Sequence, residues 1–132
     1  MSTFIDTSAF LALLAQNDPQ HENAVKRYRT LLETPYSLVT TNYVVVESIA
    51  LTQNRMGLEA VKTLLNDILP SVDVLWLDIT LHAQAILTLL TANRRALSIV
   101  DCSSFVFMNS QNISNAFAYD AHFEEQGFKC LR

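Results

Sequence analysis

Glycine and proline are scarce: 2 and 3 in 132 residues, where average usage would give about 9 and 7. That scarcity excludes collagen-like, flexible-linker and low-complexity chains. Neither Gly57 nor Gly127 can open a GxGxxG or GxxxxGK[ST] loop, so a glycine-rich phosphate cradle is excluded as well. Cysteine is nearly missing too. Cys102 and Cys130 have neither CxxC nor zinc-finger spacing and follow no signal peptide, which predicts a reduced, cytoplasmic setting. Positive charge is in deficit, with 9 Lys and Arg against 13 Asp and Glu and a net charge of -4. A broad basic face for nucleic acid is therefore not expected. An acidic site whose bound cations invert the local charge stays compatible with nucleic-acid chemistry. No apolar run reaches the roughly 18 residues of a membrane span; Trp76 to Leu90 is interrupted by Asp78, His82 and Gln84.

Half of the residues are hydrophobic, enough for one core, and the length predicts one domain over residues 1–132. Strand and helix patterns alternate. Ser2–Ile5 reads as a strand, followed by helices over Ser8–Ala15 and Gln20–Leu32 with Asp18 and Pro19 at the second start. Tyr36–Thr40 is a second strand. Asn42 is expected to cap a helix to about Asn54, and Gly57 separates it from one over Leu58–Leu69 that Pro70 stops. A strand over Val72–Leu77 and helices over Leu81–Thr91 and Val100–Asn109 follow. Ile113–Tyr119 is the fourth strand, Ala121–Gln126 a helical turn and Phe128–Leu131 the fifth strand. Strands separated by helices predict an α/β fold with a parallel sheet and helices on both faces. Ligands in such sheets collect beyond the carboxyl ends of the strands.

The acidic residues fall into two populations. Glu22 with Lys26, Glu33 with Arg29 and Glu59 with Lys62 have cations at helical spacing and predict ordinary surface pairs. Asp6, Glu47, Asp101 and Asp120 lie in apolar stretches without one. Each has a structural explanation: Asp6 and Asp120 as helix caps, Asp101 as the acid of an S-x-x-D capping box with Ser98. Glu47 is harder to explain that way, because Tyr43, Val44, Ala50 and Leu51 put it on an apolar face where a lone carboxylate is costly. Asp6 and Asp120 end predicted strands, and Glu47 and Asp101 begin following helices, so all four approach one edge of a parallel sheet. Converging carboxylates repel unless a hard divalent ion sits among them, and Mg²⁺ or Mn²⁺ with oxygen ligands activates water for phosphoryl hydrolysis.

These residues carry a family resemblance. Ile5-Asp6-Thr7-Ser8, Glu47 in its apolar helix, Ser98-Ile99-Val100-Asp101-Cys102-Ser103-Ser104-Phe105 and Ala118-Tyr119-Asp120-Ala121-His122-Phe123 with Gly127-Phe128 resemble the PIN domain. More closely, they resemble the VapC-type toxins of bacterial toxin–antitoxin modules. The resemblance spans the chain in order. It implies a three-layer, five-stranded parallel fold and a Mg²⁺-dependent endoribonuclease, with Mn²⁺ as the alternative ion. It also implies Asp6, Glu47, Asp101 and Asp120 as the acidic quartet, an RNA substrate, an antitoxin partner and a homodimer. Thr7 and Ser8 are expected to support the waters of the metal. Ala118 departs from the pattern, since many relatives carry Thr two residues before the last acid.

The remaining signals have plainer readings. His122 is expected to cap or pack near the last turn, and His21 and His82 to sit on helix surfaces. Arg94-Arg95 could meet RNA phosphates. Phe105, Phe107, Phe117 and Phe123 are expected in the core and Cys102 as a buried thiol. Three rivals are weighed. A haloacid-dehalogenase-like phosphatase lacks its second Asp, since Ser8 stands there. A response-regulator receiver would need an acidic pair near Asp6. A non-catalytic PIN scaffold that only binds partners is opposed by the intact quartet.

Overall fold

A computed structural model describes all 132 residues, Met1–Arg132. The sheet is built outward from β1 (Ser2–Ile5), whose Phe4 and Ile5 are wholly enclosed. It is joined by β2 (Ser37–Thr41), β3 (Asp73–Leu75), β4 (Asn115–Phe117) and β5 (Lys129–Cys130), all parallel, in the order β3-β2-β1-β4-β5. The five-stranded parallel α/β expectation holds. The chain winds one way through β2 and β3, then crosses back to set β4 against the other side of β1. The carboxyl ends of β1 and β4 therefore flank the switch point, where such sheets open a crevice.

Seven helices connect the strands: α1 (Thr7–Leu14), α2 (His21–Leu32), α3 (Asn42–Met56), α4 (Leu58–Thr63), α5 (Ile79–Ala92), α6 (Ile99–Ser110) and α7 (His122–Glu125). α1 packs on α2 and α3, and α6 packs on α3 and α5. None is long and apolar enough to cross a membrane. Phe105, Phe107, Phe117, Phe123 and Cys102 all lie in the core, as expected. Phe123 stacks edge-on against Phe105 at 5.0 Å and lies 6.2 Å from Phe4 and 6.3 Å from Phe128.

Several local expectations are corrected. Thr41, not Asn42, caps α3: its hydroxyl accepts from Val44 N at 3.3 Å. Asn42 instead accepts from Leu77 N at 2.9 Å, fastening the chain that leaves β3. α2 starts one residue late because Asp18 turns the chain by accepting from Gln20 N at 2.7 Å. The helix expected to Leu69 keeps α-geometry only to Thr63, passes through a π-helical turn over Leu64–Ile68 and ends in a 3₁₀ turn over Leu69–Ser71. Pro70 offers no N–H to the preceding turn, and Leu69 N reaches back five residues to Leu64 O. β4 stops at Phe117 rather than Tyr119. Its partner β1 has by then given way to α1, and Tyr119 N bonds the Ser8 hydroxyl instead of a strand. β3 and β5 are likewise shorter than expected, as edge strands commonly are. Of the three helix-face ion pairs, Glu59–Lys62 alone closes, at 3.1 Å.

Candidate active site

Asp6 is the first residue past β1 and the N-cap of α1. Its Oδ2 accepts from Ser8 N at 3.1 Å and from Ser8 Oγ at 2.6 Å. Ser8 Oγ also accepts from Tyr119 N at 2.9 Å, so one hydroxyl ties the end of β1 to the loop beyond β4. Asp120 sits in that loop and turns it, its Oδ1 accepting from His122 N at 2.9 Å. Asp101 enters from α6. The S-x-x-D box is formed: Asp101 Oδ2 accepts from Ser98 N at 3.1 Å and Ser98 Oγ from Asp101 N at 3.0 Å. Capping fixes this carboxylate without burying it out of reach, so cap and site residue are compatible roles. Glu47 projects from α3 half-buried, at the border of a groove of about 440 Å³ shared with Asn42, Tyr43, Val46, Ala50 and Val100. It is thus at the rim of an apolar groove rather than within a helix–helix contact.

The tightest grouping includes a residue that sequence reasoning left outside the acidic quartet. One carboxylate oxygen each from Asp101 and Asp120, and a ring nitrogen of His122, lie within 4.8 Å of one another. His122 Nδ1 is 2.9 Å from Asp120 Oδ1 and 3.7 Å from Asp101 Oδ2. It packs at the start of α7, by the last turn, with its ring facing the two acids. The signal available was its position two residues after Asp120, the span of the turn that Asp120 makes. Ser8 Oγ donates to Asp6 and accepts from Tyr119 N, which leaves one lone pair for the water expected there. Thr7 Oγ1 accepts from Ser48 Oγ at 3.3 Å beside Glu47. Arg94 pairs with Glu125 at 2.9 Å, which leaves Arg95 as the exposed cation without an ion pair in that loop.

The acids feel their burial and one another. Burial is the main cause that lifts Asp6 to about 6, with Asp101 and Asp120 adding to it and the two Ser8 hydrogen bonds opposing it. Glu47 and Asp101 are raised chiefly by burial, and Asp120 pushes each further up. Because the folded Asp6 holds its proton above the ordinary 3.8, the unfolded chain ionises first as pH rises. The contribution of Asp6 to the stability of the metal-free protein is thus largest in acid and is lost between pH ~4 and ~6, on the order of 3 kcal/mol. Urea unfolding in EDTA is expected to show that decline, and Asp6→Asn to flatten much of it, since Asn caps as well as Asp. Saturating divalent cation should reverse the slope by binding the ionised acids. A wild-type curve that declines no more across this window than that of Asp6→Asn would contradict the assignment.

Hard carboxylate oxygens and no thiolate make this donor set suited to an Mg²⁺- or Mn²⁺-class ion. The model of the PIN domain family matches residues 3–129, and the chain belongs to that family. A protein of Mycobacterium tuberculosis named 23S rRNA-specific endonuclease VapC20 is 32% identical over 130 residues, covering 98% of this chain and 97% of its own. The crystal structure of the Mycobacterium tuberculosis protein VapC20, described as a sarcin–ricin loop cleaving toxin, superposes with a TM-score of 0.84 at 30% identity, over 98% of each chain. FitAcB from Neisseria gonorrhoeae shares the fold, with a TM-score of 0.69 at 18% identity over 100% of this chain and 97% of that one. Within its family the chain falls among the VapC-type toxin ribonucleases.

Proposed function

We propose that residues 1–132 form a single nuclease domain that cleaves single-stranded regions of RNA with Mg²⁺, or Mn²⁺, and serves in the cytoplasm as the toxin of a type II toxin–antitoxin pair. The observation that carries this reading is the convergence of Asp101, Asp120 and His122 at the sheet switch point, with Asp6 and Glu47 electrostatically coupled to the same acids. Asp6, Glu47, Asp101 and Asp120 would hold the cation, which when bound supplies Lewis-acid polarisation of the phosphate and a more acidic water. The protein's own contribution is placement. Ser8 and Ser98 lock Asp6 and Asp101, the Asp120 turn fixes the far side, and Glu47 faces the groove. Arg95, exposed in the loop before α6, is placed to meet a backbone phosphate.

The near full-length likeness to VapC20 makes the sarcin–ricin loop of 23S rRNA the first substrate to try. A neighbouring antitoxin is proposed to cover the acidic edge with a cationic side chain. A homodimer is supported by the exposed apolar side chains Trp76, Ile79, Leu87 and Leu90, which run from the end of β3 along α5.

The test is cleavage of ribosomal RNA and of an isolated sarcin–ricin stem-loop by antitoxin-free protein, with Mg²⁺, with Mn²⁺ and with EDTA. Cleavage is expected with either ion and abolished by EDTA. Undiminished cleavage in EDTA would overturn the metal mechanism. Hydrolysis of a small phosphoester with all RNA left intact would favour a phosphatase, and cation binding without hydrolysis of either would favour a binding scaffold.

A further inference from the structure

We propose that His122 is itself a ligand of the bound cation, through Nδ1, and that this nitrogen shifts the preference of the site from Mg²⁺ toward Mn²⁺. The inference rests on the metal-nuclease reading and specifies its coordination. Three observations support it. First, Nδ1 is closed to solvent and has no hydrogen-bond partner, although Asp120 Oδ1 is only 2.9 Å away. The N–H direction does not serve that oxygen, so the short approach is not a hydrogen bond that would explain the ring's position.

Second, the spacing is near that of ligands on one ion. Adjacent donors around an octahedral ion with bonds near 2.1 Å lie about 3 Å apart, and opposite donors about 4.2 Å. Nδ1 is 2.9 Å from Asp120 Oδ1, an adjacent-donor spacing, and 3.7 Å from Asp101 Oδ2, between the adjacent and opposite values; all three donors lie within 4.8 Å of one another, so sub-ångström side-chain shifts bring them onto one ion. Third, the ring is held where it is. Asp120 Oδ1 accepts from the His122 backbone N–H, and the next residue, Phe123, is wholly enclosed in the core. The other histidines are engaged elsewhere: His21 Nδ1 contacts Ala12 O at 2.9 Å, and His82 pairs with Tyr43.

The chemical consequence follows from ligand type. Mg²⁺ takes oxygen and keeps water, whereas imidazole nitrogen is a better ligand for transition ions. A site of carboxylates alone discriminates weakly between Mg²⁺ and Mn²⁺; one nitrogen tilts it.

Tag-free full-length protein, His122→Ala and His122→Asn are compared, the Asn placing an oxygen near the position of Nδ1. Mn²⁺ binding is read from the free-ion magnetic resonance signal, and Mg²⁺ by competition. Pulsed spectra of the bound Mn²⁺ report a coordinated ¹⁴N directly. Wild type is expected to show the ¹⁴N coupling, and both variants to lose it. Mn²⁺ affinity should fall roughly tenfold or more in His122→Ala, with Mg²⁺ affinity changed by less than about threefold. His122→Asn should recover most Mg²⁺ binding without the Mn²⁺ preference, and it keeps the test decisive if the Ala variant is unfolded. Absence of ¹⁴N coupling in wild type would overturn the inference while the nuclease reading stands. Equal losses for both ions in His122→Ala would also overturn it and make His122 a residue that only positions Asp120. Wild type that binds neither ion would overturn the nuclease reading itself.

Discussion

Asp101→Asn is expected to reduce RNA cleavage by orders of magnitude at saturating Mg²⁺ while the metal-free protein melts at or above the wild-type temperature. The two halves of that result come from different properties of one side chain. In the capping box, Asp101 Oδ2 accepts from Ser98 N and Ser98 Oγ accepts from Asp101 N. An Asn oxygen can take over the first, and the second needs only the backbone N–H of residue 101 and the unchanged Ser98 hydroxyl. The helix start is therefore preserved. The charge is what disappears, and the folded state carries it at a cost: burial and Asp120 both oppose ionisation of Asp101. Relieving that repulsion holds or raises stability. Cation binding and water activation, by contrast, need the negative oxygen. The check is paired: a melt in EDTA and a cleavage rate at saturating Mg²⁺. A variant that cuts at the wild-type rate would remove Asp101 from the site, and one that melts far lower would mean that its charge is needed for folding.

Phe123→Ala is expected to lower the free energy of unfolding by about 3–5 kcal/mol, the usual cost of emptying an enclosed aromatic site. Phe123 is fully buried and meets Phe4 of the central strand, Phe105 of α6 and Phe128 ahead of β5. These rings come from three separate parts of the chain, so the cavity left behind has walls that cannot simply collapse together. Denaturant unfolding at pH 7 measures it. A loss under about 1 kcal/mol would mean that α7 and β5 detach with little penalty to the rest. Because α7 has only four residues, it has too few internal bonds to stand alone. The same variant should therefore weaken cation binding through the displaced His122.

The sequence was legible where a pattern extended over many residues. Alternating strands and helices located the parallel sheet, and the four acids stood out because nothing cationic accompanied them. Legibility ended where a single contact decided. Thr41 displaced Asn42 as a cap because Asn42 had a more distant use, holding Leu77 N. The π-helical turn before Pro70 arose from a missing donor whose remedy is chosen by packing, not by propensity. The direction of the His122 ring was not legible, because it depends on a two-residue turn and on an aromatic cluster assembled from distant segments. The Ser8 hydroxyl spans 111 positions of sequence to accept from Tyr119 N. Such bonds leave no periodicity to read.

The placement of β4 beside β1 has a temporal consequence. Thr3 pairs with Asn115 and Ile5 with Phe117, so β1 must wait for β4 before the crevice exists. Asp6 emerges early from the ribosome, but its companions Asp101 and Asp120 follow only after about a hundred further residues, at some 5–20 residues per second. The site therefore stays incomplete in a nascent chain until the segment bearing Asp120 has emerged and β4 has docked on β1.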